Sequence, residues 1–228
     1  MAATPSLVDS PAAAFSAVLL AGGKSTRMGF DKATLVIDGE PLWQRQIRLL
    51  QCVGANEVFI SGPADGPWKD SGLPVLEDEV PQLGPMGALV GILKKISTPR
   101  VLVLAVDMPA MTAAFLQKLT TANRAIVPKN GDYFEPLAAV YAATDWERLA
   151  TYLQRGDRSL QPYLRESAAL GSVQVLELSE SEKPLFMNVN ALAGLPGGQL
   201  RNVCKTADES KDRTTAASDY SARDNASE

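Results

Sequence analysis

The sequence predicts an α/β fold in which a doubly wound, mostly parallel β-sheet carries helices on both faces. Extended apolar segments alternate with amphipathic segments along the chain, as they do in proteins built from βα units. Residues 100–106, RVLVLAV, form a near-continuous apolar run. Such a run is typical of a central parallel strand that is buried on both faces.

The elements follow in order along the chain. Residues 16–21 are predicted to form an apolar strand, and residues 35–37 a short extended piece that ends in the turn Asp38-Gly39. Pro41 opens an amphipathic helix that runs to about Cys52, since proline suits the first turn of a helix. The other predicted strands are residues 57–61, 73–77, 100–106, 125–128, 136–142 and 173–178, and the other predicted helices are residues 86–96, 112–119 and 145–154.

Composition indicates one folded domain with two flanking segments. A chain of 228 residues, 46% of them hydrophobic, can bury a sizeable core, and we expect residues 15–204 to form this domain. Residues 205–228 contain no Val, Ile, Leu, Met, Phe or Trp, so they are predicted to be a disordered tail. Residues 1–14 are predicted to be a mobile leader, because they lack the basic residues of a secretion signal.

Charge and residue usage exclude several classes of function. The net charge of −4 argues against nucleic-acid binding, and no apolar run is long enough to cross a membrane. Cys52 and Cys204 lack the spacing of a redox or metal motif, which favours a reducing, cytoplasmic setting. The sequence has no histidine, which excludes Ser-His-Asp and Cys-His catalysis and histidine zinc sites. Chemistry must then depend on carboxylates, lysine, arginine, backbone dipoles or an oxygen-ligated metal.

A Gly-Gly turn follows the first strand. The tripeptide Gly23-Lys24-Ser25 looks like the end of a P-loop, but that motif needs a glycine where Val18 stands, inside the strand. The spacing of a dinucleotide-binding G-x-G-x-x-G motif is absent as well. A Walker-type NTPase is therefore disfavoured.

The turn is instead followed by three cations, Lys24, Arg27 and Lys32. The adjacent glycines, Gly22 and Gly23, let the backbone approach a ligand closely, and the cations can neutralise phosphate charge. The pattern favours phosphate binding. The alternative is a surface turn followed by a solvated basic loop.

Two carboxylates stand where predicted strands end. Asp78 follows residues 73–77, and Asp107 follows the most hydrophobic strand. Ligands of doubly wound sheets bind beyond the carboxyl ends of the strands, and carboxylate oxygens are ligands that Mg²⁺ prefers. Asp107 is therefore a candidate metal ligand, provided that the Gly-Gly turn lies on a neighbouring strand. The alternatives are a loop aspartate before a proline turn for Asp107 and a helix cap or acidic loop residue for Asp78.

Four segments, taken together, resemble a known family. Residues 19–35, LLAGGKSTRMGFDKATL, resemble the LAGGxSxRMGxDKxxL signature of the molybdenum cofactor guanylyltransferases and related nucleotidyltransferases. Residues 76–89 resemble the family's acidic residue followed by GPLAG, residues 104–109 resemble its strand ending in D-x-P, and residues 186–192 resemble its closing NVN segment. The resemblance extends from about residue 16 to residue 195 and implies a Rossmann-like nucleotidyltransferase fold.

The resemblance also implies roles for individual residues. Lys32, Arg27 and Asp107 would be catalytic, with Asp107 holding Mg²⁺. The pterin substrate would lie near Asn188 and Asn190. The GTP-binding residues implied are Leu20, Ala21, Gly22, Gly23, Lys32, Asp78 and Asp107.

The activity implied is Mg²⁺-dependent transfer of GMP from GTP to the terminal phosphate of molybdenum-molybdopterin in the cytoplasm, with release of pyrophosphate. Transient contacts with molybdenum insertion proteins or acceptor apoenzymes are compatible with such a role. A cytidylyltransferase acting on the same cofactor, or a transferase with another acceptor, stays open because base choice does not follow from the residues. A non-catalytic nucleotide-binding module is the alternative of another class.

Overall fold

The computed structural model describes residues 14–22, 32–78 and 83–189, so the predicted leader up to residue 13 and the predicted tail lie outside the described residues. The strands are β1 Phe15–Leu20, β2 Val36–Ile37, β3 Glu40–Pro41, β4 Val58–Ser61, β5 Val75–Leu76, β6 Arg100–Ala105, β7 Ile126–Asn130, β8 Tyr133–Phe134, β9 Ala138–Ala142 and β10 Gln174–Glu177. The helices are α1 Leu42–Cys52, α2 Gly84–Lys95, α3 Ala113–Thr120, α4 Trp146–Gln154 and α5 Leu160–Ala169, with short 3-10 helices at Lys32–Thr34, Ala143–Asp145 and Lys183–Phe186.

One mixed sheet organises the described part of the chain. Seven strands lie in the order β10-β7-β9-β6-β1-β4-β5, and β8 pairs with β7. Strand β1 is parallel to both β4 and β6, whereas β9 runs antiparallel between β6 and β7. The predicted α/β class with a mostly parallel sheet is confirmed, and β9 is the antiparallel strand in its middle.

The core consists of two layers, one on each face of the sheet. Leu19, Leu102 and Leu104 pack with residues of α1 and α3. Val18 and Val103, which alternate with them along β1 and β6, pack with residues of α2, α4 and α5. Because both faces of β1 and β6 are covered, their side chains are apolar at almost every position. The expectation of helices on both faces is thereby met.

Among the described elements, helix α5, the short strands β3 and β8 and the 3-10 helices were absent from the sequence prediction. Helix α5 begins after Ser159, whose hydroxyl accepts a hydrogen bond from the Gln161 N–H, and this N-cap was the available signal. The β7–β8 hairpin turns at Gly131, which has a φ of 59° and therefore suits glycine. In addition, the strand predicted at residues 73–77 is shorter in the structure, where only β5, Val75–Leu76, is formed. No helix in residues 14–22, 32–78 and 83–189 combines the length and the apolarity that a membrane span needs.

Candidate active site at the carboxyl edge of the sheet

The parallel strands β6, β1, β4 and β5 end at one level. Leu20 lies opposite Ser61 on one side and Ala105 on the other, and Ser61 lies opposite Leu76. This register forms a straight row of strand ends, so that the loops after all four strands emerge at the same edge. Ligands of doubly wound sheets bind at this kind of edge.

The turn after β1 is anchored to the end of β4. The N–H groups of Ala21 and Gly22 both donate to the Ser61 carbonyl oxygen, at 2.9 and 2.8 Å, and the Leu20 carbonyl accepts from the Val106 N–H at 3.0 Å. The N–H groups of Ala21 and Gly22 are therefore engaged within the protein. A backbone contact between these two residues and a ligand would depend on their carbonyl oxygens.

A second glycine, Gly62, supports this turn and was not identified from the sequence. A Cβ atom added to Gly22 would lie 3.4 Å from the Cα of Gly62, so the two glycines are in close contact. A Cβ atom on Gly62 would lie 2.6 Å from Cζ2 of the buried Trp68, which leaves no room for a side chain. The indole N–H of Trp68 donates to the Pro63 carbonyl at 3.0 Å and so holds the ring in place.

Lys32 and Asp107 form the central polar contact of the edge. Nζ of Lys32 lies 3.1 Å from Oδ2 of Asp107, although the two residues are 75 positions apart in the sequence. Lys32 opens a 3-10 helix whose Ala33 is fully buried, and this buried residue anchors the short helix to the core. The two side chains are 19% and 25% exposed, so solvent and ligands still have access to the pair.

The loop after β6 is held by backbone contacts on both sides. From α1, Nε2 of the buried Gln46 donates to the Met108 carbonyl at 2.6 Å. Nε of Arg45, also on α1, donates to the Pro109 carbonyl at 3.3 Å. On the other side, the Val189 N–H donates to the Asp107 carbonyl at 2.9 Å. The backbone at Asp107 is therefore held without the help of the residue's own side-chain oxygens.

These contacts also bring a second predicted site residue to the loop after β6. Because Val189 is bonded to Asp107, its neighbour Asn188, which is exposed, is brought to the same loop. The roles of Gln46 and Arg45 were missed in the sequence. The signal that could have revealed them is the presence of two polar residues on the buried stripe of an amphipathic helix.

The family model of the MobA-like NTP transferase domain matches residues 17–170 of this chain. The chain belongs to this family.

Individual relatives agree with the assignment. The chain is 36% identical over 185 residues to a protein named probable molybdenum cofactor guanylyltransferase from Opitutus terrae, and the match covers 78% of this chain and 92% of the relative. The solved molybdopterin-guanine dinucleotide biosynthesis protein A from Archaeoglobus fulgidus has a TM-score of 0.61 at 20% identity, covering 85% of this chain and 99% of that one. A Mycobacterium tuberculosis protein solved in complex with manganese has a TM-score of 0.53 at 14% identity, covering 80% of this chain and all (100%) of that one. The two structures show a shared fold, and the predicted nucleotidyltransferase class is confirmed.

Within this MobA-like domain, Asp78 and Asp107 lie apart. Asp78 is exposed after β5, and strands β1 and β4 lie between β5 and the strand that ends before Asp107. Although Asp78 is exposed as a residue, partial desolvation of its carboxyl raises the pKa, and the positive charge of Lys95 opposes that rise. The described residues contain no group of three or more His, Cys, Asp or Glu side chains that could hold a metal ion. Within the described residues, Asp107 is thus a candidate ligand that does not belong to a cluster of three or more such side chains.

Four further predicted residues of the MobA-like site lie outside the described residues: Gly23, Lys24, Arg27 and Asn190. Their assignments stay predictions.

Proposed function

We propose that this chain transfers the GMP part of GTP to the terminal phosphate of molybdenum-molybdopterin, which releases pyrophosphate and forms the molybdopterin guanine dinucleotide. The relative at 36% identity over most of the chain, named probable molybdenum cofactor guanylyltransferase, supports this choice among nucleotidyltransferases. The observation that carries the proposal is the contact of 3.1 Å between Lys32 and Asp107, which brings a phosphate-binding cation to a carboxylate at the ligand edge of the sheet.

In this proposal the β1 turn receives the nucleotide. Because the N–H groups of Ala21 and Gly22 already donate to Ser61, their carbonyl oxygens are the groups offered to the guanine, whose ring N–H and amino group are donors. Gly22 lacks a side chain that would separate the base from the backbone. Asp78 lies at the same edge, with two strands between its own strand and that of Asp107, at a place suited to the base or the ribose.

The proposed reaction is a substitution at the α-phosphorus of GTP. An oxygen of the acceptor phosphate forms the new bond to this phosphorus, and the bond to the β-phosphate oxygen breaks. The acceptor phosphate is already ionised at neutral pH, so no strong general base is required, and the sequence contains no histidine to act as one. Lys32, together with Arg27, would hold the two anionic substrates close and neutralise the charge that develops on the leaving pyrophosphate.

Asp107 is the proposed ligand of Mg²⁺. A single carboxylate fits this ion, since Mg²⁺ in nucleotide sites is commonly held by one or two carboxylates, substrate phosphates and water. When bound, Mg²⁺ supplies positive charge at the phosphate oxygens. Asp107 suits the role because the Val189 N–H and the Gln46 side chain of α1 hold the backbone carbonyls of its loop, so that its carboxylate can release Lys32 without loss of the loop's shape.

A direct assay of products tests the proposed function. Purified chain, Mg²⁺ and molybdenum-molybdopterin are incubated with GTP, CTP or ATP, and the dinucleotide and pyrophosphate are quantified. We expect GTP to be used far better than the other two nucleotides. Comparable specificity constants for CTP would assign the chain to the cytidylyltransferases, and nucleotide binding without any product would favour a non-catalytic module.

The proposed setting is the cytoplasm, where GTP is available and where an exposed free thiol such as that of Cys52 stays reduced. Transient delivery contacts with molybdenum insertion proteins or acceptor apoenzymes belong to the same proposal.

A further inference from the structure

Glu135 lies at the same edge of the sheet as Asp107, in the segment that joins β8 to β9, and β9 is the neighbour of β6. Strand β9 is antiparallel to β6, with Leu104 opposite Ala138, and the Ala105 N–H donates to the Leu137 carbonyl at 2.7 Å. Asp107 follows Ala105 by two residues, and Glu135 precedes Leu137 by two residues. Asp107 lies in the turn after β6 and Glu135 in the segment just before β9, so both residues lie at the same edge of the sheet.

Glu135 also projects to the same face of the sheet as the segment that contains Asn188. Phe134 packs in the cluster under α2, α4 and α5. Because side chains alternate along extended backbone, the next residue, Glu135, projects toward the opposite face. Phe186 and Val189 pack in the core cluster on that opposite face. Glu135 is thus directed to the side on which the segment before Asn188 covers the sheet.

The backbone around Glu135 is fixed by four hydrogen bonds. Gln161 of α5 accepts from the Phe134 N–H at 3.0 Å and donates to the Phe134 carbonyl at 2.8 Å. The Glu135 N–H donates to the Pro128 carbonyl at 2.8 Å, and the hydroxyl of the buried Tyr141 donates to the Pro136 carbonyl at 2.8 Å. These bonds hold the backbone of Glu135 in place and so set the direction of its Cα–Cβ bond.

The Glu135 side chain has no polar partner within the described part of the chain. It is half-buried, and among the described residues its carboxylate forms neither a hydrogen bond nor an ion pair. Burial accordingly raises the pKa of the Glu135 carboxyl. A half-buried carboxylate is hydrated only in part, and the lack of donors from the described residues makes this unfavourable for folding; a ligand bound at this edge would supply the missing donors.

We propose that Glu135 is a specificity-determining contact for the pterin ring of the acceptor, whose amide N–H and neighbouring amino group donate two parallel hydrogen bonds to the carboxylate. This inference rests on the proposed function. The two donors match the two oxygens of a carboxylate in the way that favours bidentate, charge-assisted bonding.

Guanine carries the same pair of donors, so the nucleotide is the other source of this chemistry. The positions in the sheet favour the acceptor. The β1 turn proposed for the nucleotide faces β4 through Ser61, whereas Glu135 lies on the β9 side of β6, so that Asp107 stands between the two. A nucleotide seated on the β1 turn and an acceptor seated by Glu135 would approach each other at Asp107.

The test compares the full-length wild type with Glu135→Gln and Glu135→Asp, and Asp132→Asn, which alters an exposed carboxylate of the same hairpin, is the matched control. Steady-state turnover is measured with molybdopterin and GTP varied separately, and binding of molybdopterin is followed by its own fluorescence. We expect Glu135→Gln to raise the KM and the Kd for molybdopterin by about 10- to 100-fold, the range for lost charge-assisted hydrogen bonds. The KM for GTP should change less than about twofold, since the nucleotide does not contact Glu135. Glu135→Asp should retain part of the affinity.

Thermal unfolding separates this role from a structural one. Removing an uncompensated charge should leave the Tm of Glu135→Gln unchanged or raise it, whereas a supporting role in the fold would lower it. An unchanged Kd for molybdopterin in Glu135→Gln would overturn the inference. So would a raised KM for GTP combined with a lost preference for GTP over ITP, because that result assigns Glu135 to guanine. A wild type that binds GTP but not molybdopterin would instead overturn the proposed function, and this inference with it.

Discussion

Replacing Asp107 by asparagine separates a role in catalysis from a role in shaping the loop. The loop is held through backbone atoms, since the Asp107 carbonyl accepts from Val189 and the Met108 carbonyl accepts from Gln46. The contact formed by the carboxylate is the ion pair with Lys32. An asparagine side chain would keep the shape of the aspartate but not its charge, so we expect the variant to fold with an unchanged loop.

The two effects of Asp107→Asn differ in size. The ion pair is 19% and 25% exposed at its two side chains, and partly solvated pairs contribute about 0.5–1 kcal/mol to the free energy of unfolding. That loss corresponds to a fall in Tm of only about 1–4 °C for a domain of this size. Loss of a preorganised electrostatic contact in the transition state costs about a hundredfold or more in turnover, or about 2.7 kcal/mol. Turnover should therefore fall far more than stability.

The assay is Mg²⁺-dependent release of pyrophosphate, measured with thermal unfolding on the same preparations. Lys32→Ala should lower turnover and also raise the KM for GTP, because an ammonium group attracts the phosphates in the ground state as well. The control is Glu177→Gln, which removes a pair of similar length, 3.2 Å to Lys129, at the edge strand β10. Its turnover should match that of the wild type.

Wild-type turnover in Asp107→Asn together with a lower Tm would refute the reasoning. Asp107 would then serve the loop alone, and the metal assignment would be withdrawn together with the main argument for catalysis from this site.

Three further predictions concern the support of the site and the chain beyond it. Gly62→Ala should lower the free energy of unfolding by about 1–3 kcal/mol, because the added Cβ would lie 2.6 Å from the buried ring of Trp68; urea unfolding measures this loss. Gln46→Leu should lower turnover and cost about 1 kcal/mol of stability, since it leaves the Met108 carbonyl without its bond but also removes a buried Oε1 that has no partner among the described residues. Deletion of residues 205–228 should leave both the Tm and turnover nearly unchanged, because that segment has no aliphatic side chain larger than alanine with which to anchor itself.

Matched controls are available for the first two of these variants. A Cβ added to Gly91 in α2 would meet no described atom within 4 Å apart from its chain neighbours and the backbone of its own helix, so Gly91→Ala should be neutral or stabilising. Gln44 is exposed on the same helix as Gln46, and Gln44→Leu should leave turnover intact. A stability loss in Gly91→Ala equal to that in Gly62→Ala would contradict the packing argument. Loss of several degrees of Tm on removal of residues 205–228 would contradict the predicted domain boundary.

Part of this fold could be predicted because its causes are local. The apolar runs of β1 and β6, the proline and glycine positions and the Thr112 cap of α3 all act within a few residues of themselves. Helix α5 escaped prediction although Ser159 marks its start. The antiparallel direction of β9 depends on pairing between distant strands, which no local pattern encodes.

The features of the candidate site likewise divide into those that short segments of sequence predict and those that only the tertiary structure sets. The sequence by itself determined the fold class, the Gly-Gly turn after a buried strand and the position of Asp107 at the end of another, because periodicity and strand ends are properties of short segments. Only the tertiary structure decided that Lys32 contacts Asp107 across 75 residues, that Gln46 and Gly62 support the loops, and that Glu135 reaches the same edge. The reason is physical: these contacts arise from the register of the sheet and from the packing of helices on it, and both are set by the burial of apolar surface throughout the whole domain.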